Sequence, residues 1–474
     1  MNEGPSRRPE PRPGPGDAPG PRPVVTQTGA PTGVPGSGEA RPPWREMLAA
    51  LRVPAFAWYW GGQLLSNVGT WSQTLAQAWL VLRLTHSAVA LGTVTMLQFL
   101  PVLAFALVGG VVADHLPRRQ LLVGTQVALA LQAAALGALV ATHVVTIFEV
   151  GALALLLGTT NSLNNPAQQA FVPELVGRDL LADAIALNSA QFNTARLVGG
   201  ALGGLAIATW GVSGALFLNA ASFLPLVGVL LAVRPAHSAA HTTTTRRSAV
   251  LELRGGLAYA WSTVPVRRVV AIFGVVGLLG FNWQVAVPLI AHFVLHRSAT
   301  GFGDLMAALG AGSLLAAVAL ARYRHASEHR LIAGGLGLGA VLVGLGLSHW
   351  YWASMALLTA GGIAGITASI TANTRLQLLT PEHLRGRVMA IYVLLTSGTT
   401  PLGAFVLGEM SGHLGTGAAL VTFGAATILG VASLGLVRPG LSRGQVQPRQ
   451  IERLVAPPKE AQIVREPECT SCQR

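Results

Sequence analysis

The eleven residues Gly109 to Arg119, GGVVADHLPRR, hold the densest chemistry in the chain. Gly110 and Asp114 lie four apart and share a helix face. A small residue one turn before an acid lets a neighbouring helix come close to that acid. Pro117 favours a tight turn, and Arg118 and Arg119 beyond it suit the depth of lipid headgroups. Read alone, the stretch is equally well a charged turn between two membrane helices, since Ala90–Val108 and Gln120–Val140 on either side are long apolar runs.

Composition decides what surrounds it. Of 474 residues, 51% are hydrophobic and 11% charged, with mean hydropathy +0.53. A soluble globular chain carries roughly a quarter charged residues. An all-α integral membrane protein is expected, with the lipid bilayer as its solvent. The net charge of +13 invites a nucleic-acid reading, but the placement of the arginines argues against it. Lys459, the single lysine, is followed by Glu460, so no phosphate-binding GxxxxGK[ST] loop exists. No HExxH or GxSxG occurs either, and no enzyme activity is expected. Cys469 and Cys472 form one CxxC in a polar tail, without the second pair that a structural metal site needs. No metal and no cofactor are expected.

At about 20 residues per span, the apolar stretches predict helices near 56–82, 88–112, 119–141, 146–170, 182–209 and 212–233. A second set follows near 267–294, 301–322, 330–348, 352–377, 386–410 and 415–437. The organisation is then a disordered tail at 1–43, a six-helix unit at 44–233, a polar linker at 234–266, a second six-helix unit at 267–438, and a tail at 439–474. A surface helix around Leu251–Trp261 is one reading of the linker, and a plain connector is the preferred one.

The arginines set the orientation. With a cytoplasmic N-terminus, eighteen fall at inner loops and helix ends between Trp44 and Arg438, and two, Arg83 and Arg297, fall outside. Positive residues collect on the cytoplasmic side. Both termini are therefore expected inside, in a multi-pass plasma (inner) membrane protein. Trp79, Trp350 and Trp352 fall at outer ends, where an aromatic belt belongs. The two sets also echo one another. Asn165 with Pro173-Glu174 is matched by Asn373 with Pro381-Glu382 at a constant offset of 208, and Val233-Arg234-Pro235 is matched by Val437-Arg438-Pro439.

Polar residues at membrane depth are the candidate site. Gln63, Asn67, Thr70 and Thr74 follow i, i+4, i+7, i+11 spacing, so the first helix has one polar face, which in lipid must meet protein or a wet cavity. Asn282 and Gln284 lie at similar depth in the seventh helix. Arg196 falls mid-helix in the fifth span with no acid at matching depth; its partner is a substrate anion, or else Asn161, Asn164 or backbone. Glu149 and Glu409, near outer ends, are candidates for carrying a coupling proton. His86, His143, His296, His349 and His413 fall at outer loops and read as interfacial, with a pH-sensing role left open.

Taken with SNVGTWSQTLAQAWLVLRLTHSAVALG, NPAQQAFVPELVGRDLLADAIALNSAQFNTARLVGG and NTRLQLLTPEHLRGRVMAIY, the GGVVADHLPRR loop resembles the major facilitator superfamily. Within it, the chain is most similar to the drug-efflux branch that includes enterobactin exporters and macrolide efflux proteins. The resemblance implies twelve membrane helices in two six-helix bundles around a central cavity, working by alternating access. It also implies that Asp114 faces the start of helix eleven near Arg385–Val388, as part of a gating motif of Gly110, Asp114, Arg118 and Arg119. The second-half loop RYRHASEHR is expected to have lost its acid. Gly199-Gly200-Ala201-Leu202-Gly203-Gly204 stands where related exporters often carry Gly-Pro. The expected function is efflux of a small amphipathic molecule (drug, macrolide or siderophore) by a monomer coupled to protons or another ion. The alternative is a receptor or scaffold that binds a small ligand without moving it; an enzyme acting on lipid ranks third.

Overall fold

The computed structural model describes residues 48–104, 117–177, 179–233, 249–321 and 326–436, and among them no strand forms. Both terminal tails lie outside the described residues, as do Gly110 and Asp114. A short turn of helix at Leu48–Arg52 leads into α1 (Pro54–Thr85), which starts on Pro54, where a missing N–H costs nothing. Then come α2 (Ala88–Ala104), α3 (Arg118–Ala141) and α4 (Ile147–Val176). The 52-residue run Leu181–Ala232 turns back at Gly211, whose φ of 72° suits a residue without a side chain; this divides the run into α5 (181–210) and α6 (212–232).

The second half repeats the pattern after a connecting helix, α7 (Ala249–Ser262). It comprises α8 (Val264–Val294), α9 (Ala299–Ala321), α10 (Glu328–Leu347), α11 (Tyr351–Leu379), α12 (Leu384–Leu414) and α13 (Thr416–Leu436). Eight of these helices are long and apolar enough to cross a membrane, the run Leu181–Ala232 being one of them. At 1.5 Å per residue that run is roughly twice the thickness of a hydrocarbon core of about 30 Å. α1 and α4 fall short in hydropathy rather than length, because they carry the amides of the candidate site. Together α1–α6 and α8–α13 form the all-α, two-bundle architecture expected from the sequence.

Three features differ from the expectation. α4 continues past 170 to Val176, accommodating Pro166 and Pro173 within the helix. α8 is not continuous: its regular winding gives way to a π-helical stretch at Val276–Gly280 and breaks at Phe281 and Asn282 before resuming at Trp283. The connector between the halves is helical over Ala249–Ser262. Gly255 and Gly256 let α7 lie against Arg387 at the start of α12, where a β-carbon on Gly256 would come within 3.0 Å of the Arg387 carbonyl. Tyr259 is buried and donates to the Leu379 carbonyl at 3.0 Å, which ties α7 to the end of α11.

Ion pairs brace each half at the end where the chain enters and leaves the bundle. Arg118, first in α3, pairs with Glu174 of α4 at 2.7 Å. At the matching place in the second half the signs are exchanged: Glu328, first in α10, pairs with Arg375 of α11 at 3.2 Å and with Arg268 of α8 at 2.9 Å. RYRHASEHR has therefore kept an acid, moved to the first turn of the helix, where the helix dipole favours it. Arg119 donates to the carbonyls of Leu230 and Leu231, and Arg268 to those of Leu434 and Gly435. Each cation closes the C-terminus of the last helix of its half, a favourable position for positive charge.

Candidate functional site

The two halves meet most closely at the opposite end, where short loops join the helices. The contact is built from small residues. A β-carbon on Gly92 of α2 would lie 2.8 Å from the Ala404 carbonyl oxygen and 2.9 Å from Gly408 Cα of α12. One on Gly303 of α9 would lie 2.9 Å from the Gly200 carbonyl oxygen and 3.0 Å from Gly204 Cα of α5. The pairing is reciprocal, since Gly408 meets Ala88 and Gly92, and Gly204 meets Ala299 and Gly303. Each helix offers two small residues four apart, the spacing that brings helix backbones together in lipid. These two matched seams shut the short-loop end. The glycine run at 199–204 supplies one wall of this closure.

Beneath the seam lies a small space of about 10 Å³, where Thr74 and Gln77 of α1, Thr95 and Gln98 of α2 and Gln284 of α8 meet among Ala78, Val81, Leu91 and Val94. Gln77 donates to Gln98 at 3.2 Å, while its own buried amide oxygen has no partner among the described residues. Of the candidate cavity residues, this space unites Thr74 and Gln284. Gln63 is buried instead in an amide chain, donating to Asn67 at 3.4 Å and accepting from Gln168 of α4 at 3.2 Å. Thr70 and Thr74 spend their hydroxyl protons on the carbonyls of Ser66 and Thr70. Asn282 sits in the break of α8, bonded back to the Leu278 carbonyl at 2.7 Å and pressed against Gly403.

Arg196 donates to Asn193, one turn earlier on the same helix, at 3.3 Å, and its buried Nε has no hydrogen-bond partner among the described residues. Asn164 is not its partner, being engaged by Thr125 and Gln126 at 3.0 and 3.2 Å. Glu149 accepts from the Thr146 backbone N–H at 2.8 Å as the third residue of a capping box. Glu409 faces His413, one turn on, at 3.4 Å. Sequence reasoning missed a buried set joining three helices: Gln73 donates to Gln132 at 3.0 Å and accepts from Asn219 at 2.5 Å. It also passed over Gln98, His292 and Asp304, and named Gln77 only as one polar residue of the first helix. No mid-membrane charge marks Gln77 or Gln98, so only depth on adjoining helices could have drawn attention to them.

Two bundles sharing a small-residue seam, over a small space where polar side chains meet, constitute an architecture for gated passage. The model of the transmembrane secretion effector family matches residues 45–460. The chain belongs to this family of major facilitator transporters. A multidrug efflux pump, Tap, of Mycolicibacterium fortuitum is 28% identical over 385 residues, covering 79% of this chain and 94% of that protein. The staphyloferrin A transporter of Staphylococcus aureus is 23% identical, covering 56% and 66%. Among solved structures, the D-xylose–proton symporter superposes with a TM-score of 0.63 at 15% identity, covering 82% of this chain and 98% of that one. An inward-facing bacterial homologue of the lysosomal transporter Spinster gives 0.62 at 12% identity, covering 81% and 95%. The family member described here is a multi-pass membrane protein and a secondary transporter of a small molecule, not an enzyme.

Proposed function

We propose that this transporter exports a small amphipathic molecule, a drug or a siderophore, against its gradient in exchange for protons, working as a monomer in the plasma (inner) membrane with both termini in the cytoplasm. The observation that carries the reading is the pair of reciprocal glycine seams at one end of the bundle. They support reading the outer mouth as shut in this state, so that substrate loads from the side of the termini. The arginine asymmetry supports that orientation. The kinship with Tap supports export of drug-like compounds, and the staphyloferrin A transporter supports a polyanionic chelator as the other substrate class. Braced by ion pairs within themselves, the halves have the rigidity that rocking about the seam requires.

Arg196, whose Nε has no partner and which pairs with no acid among the described residues, is the residue we assign to anionic or electron-rich groups of the substrate. Thr74, Gln77, Gln98 and Gln284 offer neutral donors and acceptors above it. Inside-out vesicles provide the test. Uptake of a fluorescent amphipathic dye should rise when the lumen is acidified and collapse with a protonophore. Uptake indifferent to both treatments would contradict proton-coupled export.

A further inference from the structure

Histidines of both halves gather at the closed end. His86, just past the end of α1, is exposed; His292, near the end of α8, is half-buried behind it. Their ring centroids are 5.7 Å apart across the seam. His292 also meets the edge of Trp79, at 5.6 Å. A cavity of about 510 Å³ lies over the pair, lined among others by Arg83 and Ser298. A second, of about 570 Å³, is lined by His86 together with His296, His349 and His413. His86 borders both cavities, and His292 shares the first with it.

Conformation gives these histidines no reason to be there. His86 and His296 end the first helix of each half with φ of 49° and 48°, the left-handed region that glycine fills at less cost. Among the described residues, the positive-φ residues other than glycine are His86, His143 and His296, each in a turn at this same end.

We infer that the His86–His292 contact is the proton-binding site that opens the short-loop end. This rests on the proton-coupled reading above for which end opens, and assigns these histidines to gating that end rather than to carrying the coupling proton across. The charged and titratable groups facing the contact are Arg83 from α1 and His296 beyond α8, with His349, His413 and Glu409 around the adjoining cavity. Arg297 is turned away over the Tyr351 ring, 4.6 Å from its centroid, and Tyr351 donates to Asp304 at 2.9 Å. Among the described residues no carboxylate lines either cavity, and Glu409 pairs with His413 at 3.4 Å. A proton taken up by either imidazole therefore meets Arg83 and, on the second uptake, another imidazolium across the seam. Like charges oppose the contact, and separating the halves relieves them. Histidine is the side chain whose charge changes within the pH range an outward-facing surface meets. By linkage, acid favours the state with this end open.

The test measures conformation and not flux. Spin labels are placed at Val144 in the first half and Trp350 in the second, with Cys469 and Cys472 changed to serine. Between pH 8 and pH 5.5 the wild-type distance distribution should move to longer values. The ratio of open to closed states should change by about tenfold, the effect of one pKa unit of differential binding. The double variant His86→Asn, His292→Gln should show the closed distribution at both pH values; asparagine keeps the left-handed turn. His292→Arg, a permanent cation, should populate the open distribution at pH 8. A double variant that still opens in acid, or a wild type that does not, overturns the assignment. Failure here with intact pH-driven dye uptake removes these histidines while leaving proton-coupled export standing; loss of uptake in wild type removes export itself.

Discussion

Gly92 and Gly408 face one another across the seam so closely that a β-carbon on either would fall 2.8–2.9 Å from backbone atoms of the other's helix. Neither helix can yield without moving its half. Gly408→Val should therefore act on the equilibrium between states more than on the fold of either bundle. Overpacking typically costs about 1–3 kcal/mol, enough to shift that equilibrium by roughly tenfold or more toward the open end. Reactivity of a cysteine at Ser87 toward an impermeant reagent should rise accordingly. Unchanged reactivity would mean that the seam is not a moving contact.

Arg196→Gln separates two roles for a cation that, among the described residues, is hydrogen-bonded to Asn193 alone. If the guanidinium meets substrate, affinity for anionic compounds should fall by tenfold or more while the melting temperature holds or rises, because a buried charge has been removed. Melting temperature and affinity are read on one purified preparation. Lower thermal stability with intact affinity would leave Arg196 a structural residue.

Glu149 and Glu409 were both expected as coupling candidates. Glu149 spends its carboxylate on the Thr146 cap, which predicts that Glu149→Gln slightly lowers the melting temperature. The pH profile of transport per folded molecule should stay in place. A displaced profile would return Glu149 to the coupling step.

The sign-exchanged pairs Arg118–Glu174 and Glu328–Arg375 differ in one respect: Glu328 serves two arginines. Glu328→Gln leaves both Arg268 and Arg375 short of a partner, and should cost about 1–3 kcal/mol, more than Glu174→Gln. Thermal denaturation of the two variants in the same detergent measures the difference. Equal losses would show that Arg268 is satisfied by the Leu434 and Gly435 carbonyls alone.

The helices were legible because hydropathy and the arginine pattern act over whole spans, and any run of some 20 apolar residues has few alternatives in a bilayer. The duplicated plan was legible too, in the Asn165/Asn373 and Pro173/Pro381 echoes. The seam was not. A glycine contact depends on which helix lies opposite, and nothing local to Gly92 names Gly408 as its partner. The same limit hid the space beneath it: Gln63 and Thr74 share a helix face in the sequence, yet Gln63 bonds to Gln168 while Thr74 meets Gln284. α7 was underestimated because its helicity is stabilised by packing of Gly256 and Tyr259 on the second half, a tertiary effect that propensity does not carry. The break in α8 follows Gly280, but glycines recur within unbroken helices of this chain, so it did not stand out.

The central claim is that substrate leaves through the seam at the short-loop end, and a reversible lock tests it most directly. A β-carbon on Gly412 of α12 would lie 2.7 Å from Cγ2 of Val89 in α2, so cysteines at these two positions fall within reach of a disulfide. In a variant with serines at Cys469 and Cys472, oxidation should abolish export from proteoliposomes, and a thiol reductant should restore it. Substrate binding from the side of the termini should survive in the oxidised protein. Export that continues at the unlocked rate with the disulfide fully formed would contradict the account.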